Sequence, residues 1–138
     1  MRMRPPLRGV SLGLLATLFC GAGVLHFVHR DSFEQMVPPW LPKPALLVAI
    51  SGIAEIVGAI GLLRSDTRVG AGWGLVALLV AVFPANIHML NDARSSGAST
   101  LWQAALWARL PLQLALIWWV WYAALAAEAR RATAMKNS

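Results

Sequence analysis

Four long runs of uncharged residues decide what this chain can fold into. Gly9 to His29 carries no Asp, Glu, Lys or Arg. Pro44 to Leu63 has Glu55 as its one charge, and Val69 to Asn91 has none. Leu110 to Ala127 also has none, and Ser95 to Ala108 extends that run beyond Arg109. A helix rises about 1.5 Å per residue, so about 20 apolar residues cross a hydrocarbon layer ~30 Å thick. Each of the four runs reaches that length or close to it. The spacing predicts an all-α fold, an integral membrane four-helix bundle with helices at 9–29, 44–63, 69–90 and 101–127. It forms one domain over 1–138, with a flexible tail at 128–138. Charged residues make up 13% of the chain. A soluble domain carries roughly 25%, so there is too little polar surface to cover a globule.

The basic start, apolar run and Cys20 resemble a secretory or lipoprotein signal. A lipoprotein site requires a small residue before the cysteine, and Phe19 stands there. The apolar run also continues to Phe27, so a retained first helix is expected. Arg2, Arg4, Arg8, Arg64, Arg68, Arg130, Arg131 and Lys136 fall on one side of the bundle, and Arg30, Lys43 and Arg94 on the other. The positive-inside rule then places both termini in the cytoplasm, N-in/C-in. The net charge of +6 is therefore a topology signal. It does not point to nucleic acid, because the basic residues are split among separate segments with no binding motif.

The connectors have distinct chemistry. "RDSFEQMV" (30–37) reads as a short amphipathic helix with Phe33, Met36 and Val37 toward lipid. "PPWLPKP" (38–44) is a stiff, Pro-rich outer loop, anchored by Trp40 at headgroup level, with Pro44 in the first turn of helix two. Ser99 or Thr100 is placed to cap helix four. In helix two, Ser51, Gly52, Gly58 and Ala59 surround Glu55 at helical spacing, a small-residue face that favours close approach of another helix. Gly9/Gly13 and Gly70/Gly74 are GxxxG pairs, a weak signal in a Gly-rich chain.

The polar residues within the spans are His26, Glu55, Asn86, His88, Arg109 and Gln113, and all fall in the middle or outer half. An intramembrane charge costs several kcal/mol unless buried and paired. Glu55 and Arg109 are the deep charges and have opposite sign, so an ion pair between them is expected. Pro84 removes the hydrogen bond to the Val80 carbonyl, and Pro111 removes the one to Trp107. Interrupted helices beside a polar cluster predict a cavity lined by His26, Glu55, Asn86 and Arg109, with Phe27 or Trp107 on its wall. The competing reading is a sealed polar seam that only fixes helix register. His88 reads as an ordinary interface residue. One cysteine excludes a CxxC relay within the chain, and no metal signature is present.

"GVLHF", Phe33, "VPPWLP", "SGIAEIVGAIGLL", Arg68, "VFPANIHM" and "RLPLQ" occur in this order. Together they resemble the DoxX family of small four-helix inner-membrane proteins, over about residues 20 to 120. The family is named for a thiosulfate:quinone oxidoreductase subunit. The resemblance implies a multi-pass protein of the bacterial inner membrane, with matching positions at His26, Phe27, Pro38, Pro39, Glu55, Pro84, Asn86, Arg109, Pro111 and Gln113. It carries no catalytic assignment. Vitamin K epoxide reductase-like bundles are similar too, but this chain lacks their cysteine pairs.

The leading expectation is an accessory subunit of a membrane redox system. A quinone-like ligand would lie near His26, Glu55, Asn86, Arg109 and Gln113, and electrons would come from a partner protein, since no redox centre is encoded. The alternatives are a non-catalytic scaffold for a partner, or a binder, carrier or isomerase of a small lipophilic compound. Whether the chain is an enzyme is left open by the residues.

The topology has a direct check. In a Cys20→Ser background, cysteines introduced at Ser32 and Ser96 should react with an impermeant maleimide in intact cells. Labelling only after lysis overturns the orientation.

Overall fold

The structure is a computed structural model that describes residues 5–136, with the side chains of Pro5 and Arg131 undescribed. Arg2 and Arg4 of the topology argument lie outside the described residues. Among the described residues the chain is all helix: α1 (Pro5–Val28), α2 (Arg30–Met36), α3 (Pro44–Leu63), α4 (Arg68–Ser95), α5 (Thr100–Val120), a π-helical turn (Trp121–Leu125) and α6 (Ala126–Lys136). Four stretches are long and apolar enough to cross a membrane: Pro6–Val28, Pro44–Leu63, Arg68–Ser95 and Thr100–Lys136. α1 begins at Pro5, ahead of the expected start at Gly9. α4 runs past its expected end to Ser95, because "NDARS" continues as helix beyond the apolar run. Most of the segment 128–138, expected to be flexible, is helical through Lys136.

The helix ends follow local chemistry. Pro44 occupies the first turn of α3, where a missing N–H leaves nothing unsatisfied. Lys43 before it holds a left-handed φ of 55°, a conformation that a side chain disfavours by roughly 1–2 kcal/mol. The Ser99 hydroxyl accepts from the Trp102 amide at 3.3 Å and caps α5. Neither Pro84 nor Pro111 ends its helix.

Apolar packing fills one end of the bundle. Leu12, Leu15 and Phe19 of α1 meet Ala59 and Leu62 of α3, Leu75 and Leu79 of α4, and Val120, Ala123, Ala124 and Leu125 of the final span. This core lies toward the end where α1 begins. There the π turn is held by Arg8, whose Nε donates to the Ala123 carbonyl at 2.8 Å. A π turn shifts the backbone ladder and leaves carbonyls short of donors. At the opposite, loop end, the apolar cluster of the described residues is small: Leu90, Ala93 and Leu106, between α4 and α5. The exterior is apolar, with Leu14, Ile53, Val57, Val80, Leu114 and Trp118 all exposed. Water does not favour such a surface and a hydrocarbon layer does.

Glycines set the tightest crossings. A Cβ at Gly52 would fall 2.8 Å from both His26 Cβ and Phe27 Cε2 and 3.0 Å from the Gly23 carbonyl. One at Gly23 would meet the Gly52 carbonyl at 2.7 Å. α1 and α3 thus touch backbone to backbone, as the small face around Glu55 implied. Gly58 instead makes room for the Leu75 side chain of α4, whose Cδ2 would lie 2.6 Å from an added Cβ. The GxxxG glycines Gly9, Gly13, Gly70 and Gly74 have nothing within 4 Å of an added Cβ, so neither pair serves a contact among the described residues.

Gly52→Ala should therefore destabilise the bundle by roughly 1–3 kcal/mol, the usual penalty for overpacking. Gly70→Ala should cause no loss, because alanine favours helix over glycine. Thermal unfolding in detergent, followed by circular dichroism, checks both. Equal effects at the two sites would show that the α1–α3 crossing is not the tight one.

Candidate functional site

The glycine crossing brings His26 and Glu55 together. His26 Nδ1 lies 2.8 Å from the Ala22 carbonyl, its own α1 backbone, and 3.2 Å from Glu55 Oε2. Nδ1 thus faces two acceptors, with the hydrogen-bond geometry favouring the Ala22 carbonyl, and Oε2 is buried against the imidazole. Phe33 of α2 stacks on the imidazole, centroids 4.1 Å apart and planes at 27°. This is a correction to the expected lipid-facing helix. α2 folds back over α3 and α4, and Phe33, Met36 and Val37 line a cavity. The loop end has little apolar filling of its own, and these side chains supply it.

Asn86 and Gln113 form a strut between α4 and α5. Asn86 Nδ2 donates to Gln113 Oε1 at 2.7 Å, and Gln113 Nε2 donates to the Leu79 carbonyl. Leu79 neighbours Val80, whose carbonyl loses its partner to Pro84. Gln113 is the buried polar residue of the described chain, at 6% exposure. An amide with both ends engaged makes two hydrogen bonds in a low-dielectric setting, which rigidifies the site.

Arg109 does not pair with Glu55, contrary to expectation. Its Nη1 lies 3.8 Å from Met89 Sδ, and no acidic side chain of the described residues reaches it. The carboxylate was claimed by α1 through the glycine crossing, which left the guanidinium on the far wall beside a thioether. A thioether is a weak acceptor and offers little compensation for a cation.

Between these walls lies a part-open cavity of about 520 Å³. His26, Glu55, Asn86, Arg109 and Gln113 all line it, and the rest of its wall is mainly apolar, including Val48, Leu78, Val82 and Leu116. Ligand pockets run from ~300 to 1,000 Å³, mostly apolar with a few convergent polar groups. Phe27 and Trp107 do not line it. Phe27 follows His26 by one residue and Trp107 precedes Arg109 by two, so at about 100° per residue both turn away, and both are exposed. Phe33 is the aromatic wall instead. No spacing rule links it to His26, because the helix breaks at His29. His88 stands apart from the cavity, edge-on to Trp40 at 5.2 Å. A second groove of about 710 Å³ between α3 and α4 is larger. Its charged groups Arg64 and Asp66 bind each other at 3.0 Å, so it presents no free chemistry. Among the described residues, no three His, Cys, Asp or Glu come together to hold a metal ion.

Fold and site define a helical bundle of four long apolar helices with a part-open, mainly apolar cavity at the loop end that carries a few polar groups. The family model described as a domain of unknown function (DUF8561) matches residues 15–124, and the chain belongs to that family. The matched span contains every residue named in the cavity. No curated protein and no solved structure matches the chain.

The pairing can be read from double-mutant cycles. His26→Gln and Glu55→Gln should couple by roughly 0.5–3 kcal/mol, whereas Glu55→Gln and Arg109→Met should add within about 0.5 kcal/mol. Melting of the single and double variants in detergent gives both values. Strong Glu55–Arg109 coupling would restore the ion pair that the geometry excludes.

Proposed function

We propose that this chain is a multi-pass protein of a bacterial inner membrane that holds a lipophilic ring compound of the quinone or quinol kind in its loop-end cavity. One observation carries the reading: a carboxylate and a guanidinium line the same apolar cavity without meeting. Glu55 Oε2 is buried against His26 Nδ1 at 3.2 Å. The Arg109 guanidinium meets the Met89 thioether and no carboxylate. A sealed structural seam would have joined them. A molecule with a hydroxyl toward Glu55 and an oxygen acceptor toward Arg109 satisfies both, and Phe33 beside His26 offers a surface for a flat ring.

Carboxylate and imidazole at one end are the groups needed to receive a proton from a quinol, and arginine at the other stabilises charge on the second oxygen. The chain supplies no redox centre, so the role is that of an accessory subunit whose electrons pass to or from a partner protein. The DoxX-like motifs support the same reading, since they carry His26, Glu55, Asn86, Arg109 and Gln113. The charge bias of the connectors supports N-in/C-in, which opens the cavity level of the bundle toward the outer face.

Purified protein should release a quinone-type molecule on organic extraction, and native mass spectra should show the matching mass increment. Glu55→Gln with Arg109→Met should lose that increment while retaining helical content. Full retention of the ligand by the double variant, or a wild type that carries no lipophile and binds none when offered ubiquinone, overturns the proposal.

A further inference from the structure

The geometry points to an ionised ligand: the molecule in the loop-end cavity carries an oxyanion, and Arg109 is its counter-ion. This rests on the cavity being a site for a lipophilic compound, and it narrows the class from neutral quinones to acidic ones, such as ring compounds with an ionised hydroxyl.

Charge balance across the cavity is the first argument. Three ionisable side chains line it: His26, Glu55 and Arg109. Glu55 lies against His26 at 3.2 Å on the wall made by α1 and α3. Arg109, on α5, has Met89 Sδ at 3.8 Å and no carboxylate among the described residues. A half-buried guanidinium between apolar helices costs several kcal/mol unless something balances it. Arginine does not lose its proton to escape that cost, and with Glu55 held against His26 on the opposite wall, an anion in the cavity is the direct counter-charge for it. The wall around it is apolar enough to keep such a contact strong.

Depth decides between two sources of an oxyanion. α5 starts at Thr100, and the rise of a helix puts Arg109 about 14 Å along it. Half of a ~30 Å hydrocarbon core is about 15 Å, so with Thr100 at the hydrocarbon edge the guanidinium lies well below headgroup level. A phospholipid phosphate would have to leave the interface to reach it. A small amphiphile that slides wholly into a cavity of about 520 Å³ does not. Gln113 and Asn86 are engaged with each other and with Leu79, so they hold the floor and leave the anion to Arg109.

The test uses two probes that differ in charge: 2-hydroxy-3-undecyl-1,4-naphthoquinone, ionised at neutral pH, and its neutral 2-methoxy ether. Each is titrated into full-length protein in phosphatidylcholine nanodiscs, with binding read from tryptophan quenching. The hydroxy compound should bind wild type about tenfold tighter than the ether. Arg109→Met should erase that preference by weakening the hydroxy compound more than the ether, and circular dichroism should show helical content equal to that of wild type. Arg109→Lys should keep part of the preference. Equal binding of the two probes by wild type, or a preference that survives in Arg109→Met, overturns the counter-ion role and leaves the quinone site standing. Failure of both probes to bind removes the site itself, and this inference with it. Displacement of the hydroxy probe when phosphatidylglycerol is added to the discs assigns the oxyanion to a bilayer headgroup and overturns the small acidic ligand.

Discussion

The backbone contact between Gly23 and Gly52 is the constraint on which the rest of the site depends. Hydrocarbon gives helices no hydrophobic reason to associate, so close packing of small residues has to supply the attraction. An added Cβ on either glycine would lie within 3 Å of the other helix. Only because the helices approach this closely does His26 of α1 meet Glu55 of α3, each about one turn along its helix from the crossing. The carboxylate is thereby fixed to the α1 wall, and Arg109 is left without it.

A second consequence is the unequal filling of the bundle. The end where α1 begins is closed by Leu15, Phe19, Leu62, Leu75 and Val120, with Arg8 clasping the π turn. The loop end has no equivalent set among the described residues, and α2 with its Phe33 lies over the space instead. Polar groups there divide into two kinds. Asn86 and Gln113 bind each other and a backbone carbonyl, which is what buried amides require. Glu55 is held against His26 at 3.2 Å, Arg109 meets nothing stronger than the Met89 thioether among the described residues, and the two line a cavity without meeting in a seam. A cation without a charged partner in an apolar setting is a standing energetic cost.

Much of this was legible in the residue order. Long uncharged runs implied four apolar helices, because the rise of a helix has to match the thickness of a membrane. Pro44 and Ser99 marked helix starts because each answers a specific need of the first turn. The cavity residues were legible too, since polar side chains in apolar spans are too expensive to occur without use. The pairing was not. Opposite charge suggested Glu55 with Arg109, but which side chain meets which depends on helix rotation, and rotation was set by glycine contacts that one-dimensional spacing does not rank. Gly9/Gly13 and Gly70/Gly74 matched the packing motif as well as any glycines, yet Gly23 and Gly52 made the crossing.

The sequence by itself determined the class of fold, the number of long apolar helices and the depth at which polar groups collect, because each follows from local composition and the rise of a helix. Only the tertiary structure decided that His26 takes Glu55, that Phe33 rather than Phe27 or Trp107 faces the cavity, and that Arg109 stands uncompensated. Those outcomes depend on contacts between helices, where a shift of a single position, about 100° of rotation, turns a side chain from the cavity to the lipid.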